Sequence, residues 1–402
     1  MNKINYNQYI NYTIILFAFI LPLSRVGIVC CSILLIILWI LEANFKEKFK
    51  MIKESKVILS LLLFLLFSAF SLLWSEHTIK GLIYLKKYWY FLPIIVIYTS
   101  IQKKYIEYSI SVFLLGMLIS EILSYGIFFE FWTLNNGSPS DPTPFMNHLQ
   151  YSLFLAFTSL LLLTKVFFEN KIPYKILYFI FFLITTSNLF LNGGRTGQVV
   201  FIISIFIVGF LRIKNKVLAF GTMLLLLLSI LFTAYQASRT FKHRFNASIN
   251  ESISIINNDN YCGSFGLRLG SWIVAYNIFK DNPVVGVGIG DAMPKLEEYL
   301  KLEQHNNKKC VNYMVKYNYH NFYVQVAVQL GIIGLFLYLM IFYSIITLNT
   351  KDKIYFNLII IFVSTYSISS MFETMFHAQF SEALFTLFIG LFISQNRIEN
   401  ET

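Results

Sequence analysis

Residues 320–335 read HNFYVQVAVQLGIIGL. They stand where a long polar stretch gives way to an apolar run that continues to residue 348. A helix that enters a bilayer with His320 and Asn321 at its start, and with Gln325 and Gln329 further in, must hold those side chains in protein or against a watery cavity, because lipid offers no partner. Val324, Ala327, Gly331 and Gly334 follow at helical spacing and predict a small-residue stripe that admits close packing by another helix. Asn321, Gln325 and Gln329 form a polar stripe beside it. The pattern implies that this helix faces a site, although His320 taken alone suits capping or packing at the headgroup level equally well.

The same reading extends outward along the chain. Of 402 residues, 56% are hydrophobic, 18% aromatic and only 13% charged, which is too little polar surface to enclose one soluble core. Apolar runs close to the length of about 20 residues that a helix needs to cross a bilayer recur throughout. Runs near 8–24, 27–42, 56–73, 88–100, 106–130, 147–168, 173–191, 196–212, 217–235, 319–348, 353–371 and 378–395 predict an all-α integral membrane protein of about twelve transmembrane helices. Barrel strands would be shorter and would alternate polar with apolar residues. The first run follows Lys3 and ends in no small-residue cleavage site, so it reads as a retained helix.

Lysines and arginines set the expected orientation. Alternate short loops hold Lys46 to Lys56, Lys103 and Lys104, Lys165 to Lys175, Arg212 to Lys216, and Lys351 with Lys353. The positive-inside rule assigns these loops, and both termini, to the cytoplasm. Residues 236–318, between the ninth and tenth runs, are the one stretch of soluble-protein composition and are expected outside. Three parts follow: 1–235 with nine spans, 236–318 as a loop domain, and 319–402 with three spans and a short tail. The net charge of +11 is scattered over short loops and gathers in no aromatic-studded patch, which argues against nucleic acid as a partner.

Arg195 lies in LFLNGGRTGQVVF, a break of a few residues between two outer ends. An arginine there suits snorkelling at the interface. Gly193 and Gly194 before it and Gly197 after it also let a ligand approach the backbone, and the following helix aims its N–H groups outward, which suits an anion. A planar guanidinium can hold two phosphate oxygens at once. Arg268, in FGLRLGSW near the start of an amphipathic loop helix that ends at Asn282-Pro283, is either a solvated charge or a second such donor. GVGIG at 286–290 lacks the strand-turn-helix setting of a dinucleotide site and reads as turn-forming glycines. No Cys/His spacing suits zinc and no Asp-x-Asp pair offers itself, so neither metal nor cofactor is expected. Glu373, His377 and His148 are weaker candidates that read more readily as structural. Cys262 and Cys310 both fall in the long polar segment.

In this order, NGGRTGQ with Arg195, Arg268 followed by GSWIVAYNIFKDNPVVGVGIGD, and HNFYVQVAVQLGIIG resemble the O-antigen ligase and polymerase superfamily of bacterial inner-membrane glycosyltransferases. The last motif fits best: His320, Asn321, nine residues, Gly331, two residues, Gly334. The resemblance covers the second half of the chain, and the first half matches only in helix count and loop placement. It implies a GT-C-like bundle in the inner membrane whose site faces the periplasm. It implies a metal-independent transfer of glycan from undecaprenyl pyrophosphate, in ligases to a sugar hydroxyl of lipid A-core. His320 would be the general base, since histidine accepts a proton near neutrality. Arg195 and Arg268 would stabilise the departing pyrophosphate, with Gly194, Asn321, Gly331 and Gly334 in support. Partners would then be the lipid-linked donor, the lipid A-core acceptor and membrane lipids. An oxidising periplasm predicts a Cys262–Cys310 disulfide. An O-antigen polymerase, with a second lipid-linked glycan as acceptor, and a protein O-oligosaccharyltransferase are rivals within the superfamily. A transporter is the rival outside it, and would call for repeated halves or broken intramembrane helices, neither of which is evident in the sequence.

Overall fold

The structure, a computed structural model, describes residues 5–134, 137–237, 239–258, 263–302, 314 and 318–401. Among these residues the chain is helical and has no strand. The helices run α1 (Tyr6–Ile20), α2 (Arg25–Glu42), α3 (Phe45–Glu54), α4 (Lys56–Phe70), α5 (Thr78–Lys86), α6 (Leu92–Ser100), α7 (Lys103–Phe128), α8 (His148–Phe168), α9 (Ile172–Leu191), α10 (Arg195–Arg212), α11 (Lys216–Ala237), α12 (Arg239–Asn258), α13 (Ser264–Asp281), α14 (Ala292–Leu302), α15 (Phe322–Ile346), α16 (Lys353–Ser370) and α17 (Gln379–Glu401). Their starts follow local chemistry: Ser24, Asn147 and Asn321 each accept a hydrogen bond from a first-turn N–H that has no intrahelical partner.

Each of the twelve apolar runs coincides with a helix. Eight helices among the described residues, α2, α4, α7, α8, α9, α11, α15 and α16, are long and apolar enough to cross a membrane, which makes this a multi-pass membrane protein. The other four runs, in α1, α6, α10 and α17, are shorter or less apolar, so length and hydropathy support eight of the twelve expected spans among the described residues. At the centre lie α8, buried at every residue from Tyr151 to Thr164, and α17, buried from Phe380 to Gln395. Both bury residues on every side, α17 doing so although it carries Glu382. The Phe157 ring joins α8 to α16 and α17, 5.1 Å from Phe362 and 4.6 Å from Phe388, both edge to face. In lipid such packing holds through dispersion and ring geometry, because lipid tails are as apolar as the core.

α15 departs most from the expectation. Gly331 has φ 63° and ψ −160°, and the helix breaks there. Its first arm folds back along the second: the Phe322 and Tyr323 rings stand 4.9 and 5.5 Å from the Tyr338 ring. In a straight helix the sixteen residues from 322 to 338 would separate their backbones by about 24 Å. The run of 25 residues is therefore not one straight helix. Segment 283–288 fills the break. Val287 and Gly288 donate to the carbonyls of Val328 and Gln329 at 3.0 Å, while Ile332 and Ile333 donate to Pro283 and Val284 at 2.9 and 3.3 Å. Those are the groups that a continuous helix would have paired with one another, so the exchange leaves none of the four unsatisfied.

Three readings of the sequence are corrected here. Gly331 and Gly334 do not form a stripe for a neighbouring helix: a Cβ on Gly331 would lie 2.2 Å from the Val284 carbonyl oxygen, and one on Gly334 would lie 2.1 Å from Leu330 Cβ on the same helix. A broken helix is present, although the sequence did not disclose it. α13 ends at Asn282 as expected but is not amphipathic, since Val274, Ala275 and Ile278 are buried while Phe265, Ile273 and Tyr276 are exposed. The GVGIG glycines are turn formers, with positive φ at Gly286 and Gly288. Asp291 then ties this segment to the turn between α4 and α5, its two oxygens accepting from the backbone N–H groups of Glu76 and His77 at 2.8 and 2.9 Å.

Candidate active site

His320 is set in place by the residue before it. Tyr319 is fully buried, its carbonyl accepts from Trp272 Nε1 of α13 at 2.7 Å, and its hydroxyl donates to the Ala292 carbonyl at 2.9 Å. His320 itself has φ 47°, a left-handed conformation that a residue with a Cβ adopts only when its surroundings hold it there. Asn321 returns to extended backbone and caps α15, accepting from Val324 N–H at 3.1 Å. The imidazole is thereby presented just outside the helix.

Glu373, on the turn after α16, joins the two residues that the sequence placed far apart. One carboxylate oxygen accepts from Arg268 Nη2 at 3.0 Å, and the other lies 3.5 Å from His320 Nδ1. All three side chains are largely but not wholly buried, between 16% and 21% exposed, so the cluster borders an accessible space. A carboxylate at Nδ1 favours the tautomer that carries its proton there, which leaves Nε2 as a proton acceptor. Arg268 spends one of its five N–H donors on Glu373, and the planar fork has others to offer.

Arg195 is the first residue of α10 and donates from Nη1 to Ser248 Oγ of α12 at 2.5 Å. Its turn is braced on several sides. Asn192 Oδ1 accepts from Gly194 N–H at 2.7 Å, and Asp141 accepts from Gly193 N–H and pairs with His148 Nδ1, both at 3.0 Å. The glycines serve packing and not ligand approach: a Cβ on Gly194 or Gly197 would fall 2.4 or 2.2 Å from the carbonyl oxygens of His148 or Ser152 in α8. A cavity of about 150 Å³ runs between the Arg195 turn and the Glu373 cluster, lined by Asn147, Gln150, Thr196, Ser369 and Glu373 among others.

Glu373 and His377, four residues apart, part company. His377 stacks on the Tyr84 ring at 4.1 Å, and its Nδ1 lies 3.3 Å from Lys87 Nζ. Burial, aided by the Lys87 charge, pushes its pKa down to about 3, so the imidazole is neutral and can accept from the ammonium. Gln329 finds a partner in the Ile289 carbonyl at 3.0 Å, whereas Gln325, almost fully buried, has none for either amide atom among the described residues. Cys262 and Cys310, expected to pair, lie outside the described residues. Sequence reasoning missed the bridging role of Glu373 and the brace made by Asp141. The only sign of the first was a carboxylate on an outer turn that carries few charges.

Residues 180–339 match the O-antigen ligase family. An uncharacterized protein of Haemophilus influenzae is 22% identical over 311 residues, covering 75% of this chain and 75% of its own. The matched stretch takes in Arg195, Arg268, His320 and the break at Gly331, the parts of the chain in which motif and geometry coincide, and over these residues the protein is similar to the O-antigen ligase family.

Proposed function

We infer that the protein is an O-antigen ligase, transferring glycan from undecaprenyl pyrophosphate to a sugar hydroxyl of lipid A-core at the periplasmic face of the inner membrane. What supports this reading most is the Glu373 carboxylate, with Arg268 on one oxygen and His320 near the other. The acceptor hydroxyl gives its proton to His320 Nε2 as its oxygen bonds to the anomeric carbon. The bond from that carbon to the pyrophosphate breaks, and the electron pair leaves with the phosphate. Glu373 orients the imidazole and balances the charge it gains. Arg268, held by Glu373, and Arg195, next in the chain to Thr196 of the cavity wall, stabilise the departing pyrophosphate with fixed positive charge, so the reaction needs no metal.

The test is transfer by the purified protein, given a lipid-linked donor and, in separate reactions, lipid A-core or a second lipid-linked glycan. Product on lipid A-core, undiminished by chelator and lost in His320→Ala, is the expected result. Product only on the lipid-linked glycan would make the protein a polymerase. No product on either, with uptake of lipid-linked glycan into vesicles, would make it a transporter.

A further inference from the structure

At the end of the bundle opposite Glu373, a cavity of about 670 Å³ opens between the start of α4, the end of α15 and the end of α17. The lysine pattern assigns this end to the cytoplasm. Both signs of charge meet in its lining: Lys56 and Arg397 against Glu54 and Glu401. Arg397 lies over the Tyr98 ring at 5.6 Å and has Nη1 3.5 Å from a Glu401 oxygen. Its Nε, however, is buried with no hydrogen-bond partner among the described residues, and so is Nδ2 of the adjoining Asn396. Neither atom reaches the cavity surface as the side chains stand, and since a buried donor left unpaired costs about 1–3 kcal/mol, an acceptor with several oxygens that drew Arg397 and Asn396 toward it would satisfy both. A purely anionic ligand would meet Glu54 and Glu401 unfavourably. Above the polar floor, Leu59, Leu63 and Tyr343 line the cavity and are exposed on the outer surface of their helices, at 39%, 50% and 68%. These residues continue the cavity into an apolar groove along α4 and α15.

We propose that this cavity binds one diacyl phospholipid with a phosphoethanolamine headgroup. The phosphate accepts from Arg397 Nε and Asn396 Nδ2 with Lys56 nearby, the primary ammonium faces Glu54 and Glu401, and the acyl chains lie on Leu59, Leu63 and Tyr343. A choline headgroup has no N–H to donate to the carboxylates, and a glycerol headgroup has no cation for them. The site is independent of the transfer chemistry at the other end of the molecule.

Native mass spectrometry of the full chain, purified in detergent and titrated with dioleoyl lipids, tests the assignment. Phosphatidylethanolamine should bind about tenfold or more tightly than phosphatidylglycerol or phosphatidylcholine, a difference of about 1.4 kcal/mol. Asn396→Ala and Arg397→Gln should each weaken that binding, and Glu54→Gln, at an exposed position that folding does not depend on, should abolish the preference over the choline lipid. Equal or tighter binding of phosphatidylglycerol, indifference to all three substitutions, or displacement of the lipid by equimolar soluble phosphoethanolamine would overturn the proposal.

Discussion

Glu373 is the residue on which the candidate site turns, because it spends one oxygen on Arg268 and turns the other toward His320. Glu373→Gln keeps the shape and removes the charge, and its amide nitrogen cannot accept from the imidazole. We expect transfer to fall by about 10²-fold or more with membrane levels unchanged, measured by initial rates on lipid A-core. His320→Ala should lose about 10²- to 10⁴-fold, the usual range for a general base, and a His320→Ala protein of full activity would remove the imidazole from the reaction. Arg268→Lys retains charge but not the fork that can serve carboxylate and phosphate together, so it should rescue little. His377 makes a different prediction. Its native pKa of about 3 lies below the ordinary 6.5, so the unfolded chain binds a proton that the native one refuses between these values. Stability is then complete above pH 6.5 and lost as pH falls toward 3. Melting of the detergent-solubilised protein should track this, and His377→Asn should flatten the dependence.

Gly331 shows what could and could not be read at the level of the element. That 319–348 forms helix was plain from its apolar run, and Asn321 as its cap from its residue type. The break was not, because a glycine within an apolar run looks the same whether it admits a neighbour or a turn. Here the distinction depends on 283–288, a segment more than forty residues away, offering the four backbone partners that make the break tolerable. Likewise, the glycines around Arg195 were legible as sites of close approach, but the approaching group is α8 and not a ligand. Gly331→Ala forces a Cβ against the Val284 carbonyl at a positive φ, and should destabilise by more than about 1 kcal/mol. A lowered melting temperature and a reduced transfer rate should appear together, since the same break sets the first arm that carries His320. A variant with unchanged melting would show that the two arms do not depend on this hinge.

For the molecule as a whole, hydropathy conveyed the all-helical, multi-pass architecture. Hydropathy could not convey which helices occupy the centre, since α17, buried from Phe380 to Gln395, carries Glu382 and is less apolar than the more exposed α2 and α4. The expected orientation can be tested by membrane-impermeant thiol labelling of single cysteines introduced at Lys50, Lys214 and Glu251 in a background without native cysteines. In intact spheroplasts only the last should react, and labelling at Lys50 or Lys214 would invert the scheme.

The fold-back of α15 bears on how the protein is made. During synthesis the insertion machinery meets residues 322–346 as one uninterrupted apolar run of 25 residues, which it is built to admit as a single straight helix. The finished shape needs the first part of that run to be drawn back and opened at Gly331. Segment 283–288 precedes it in the chain and has therefore already emerged when the run arrives, ready to take the carbonyls of Val328 and Gln329 as they come free. The order of synthesis thus supplies the template before the helical arm it captures.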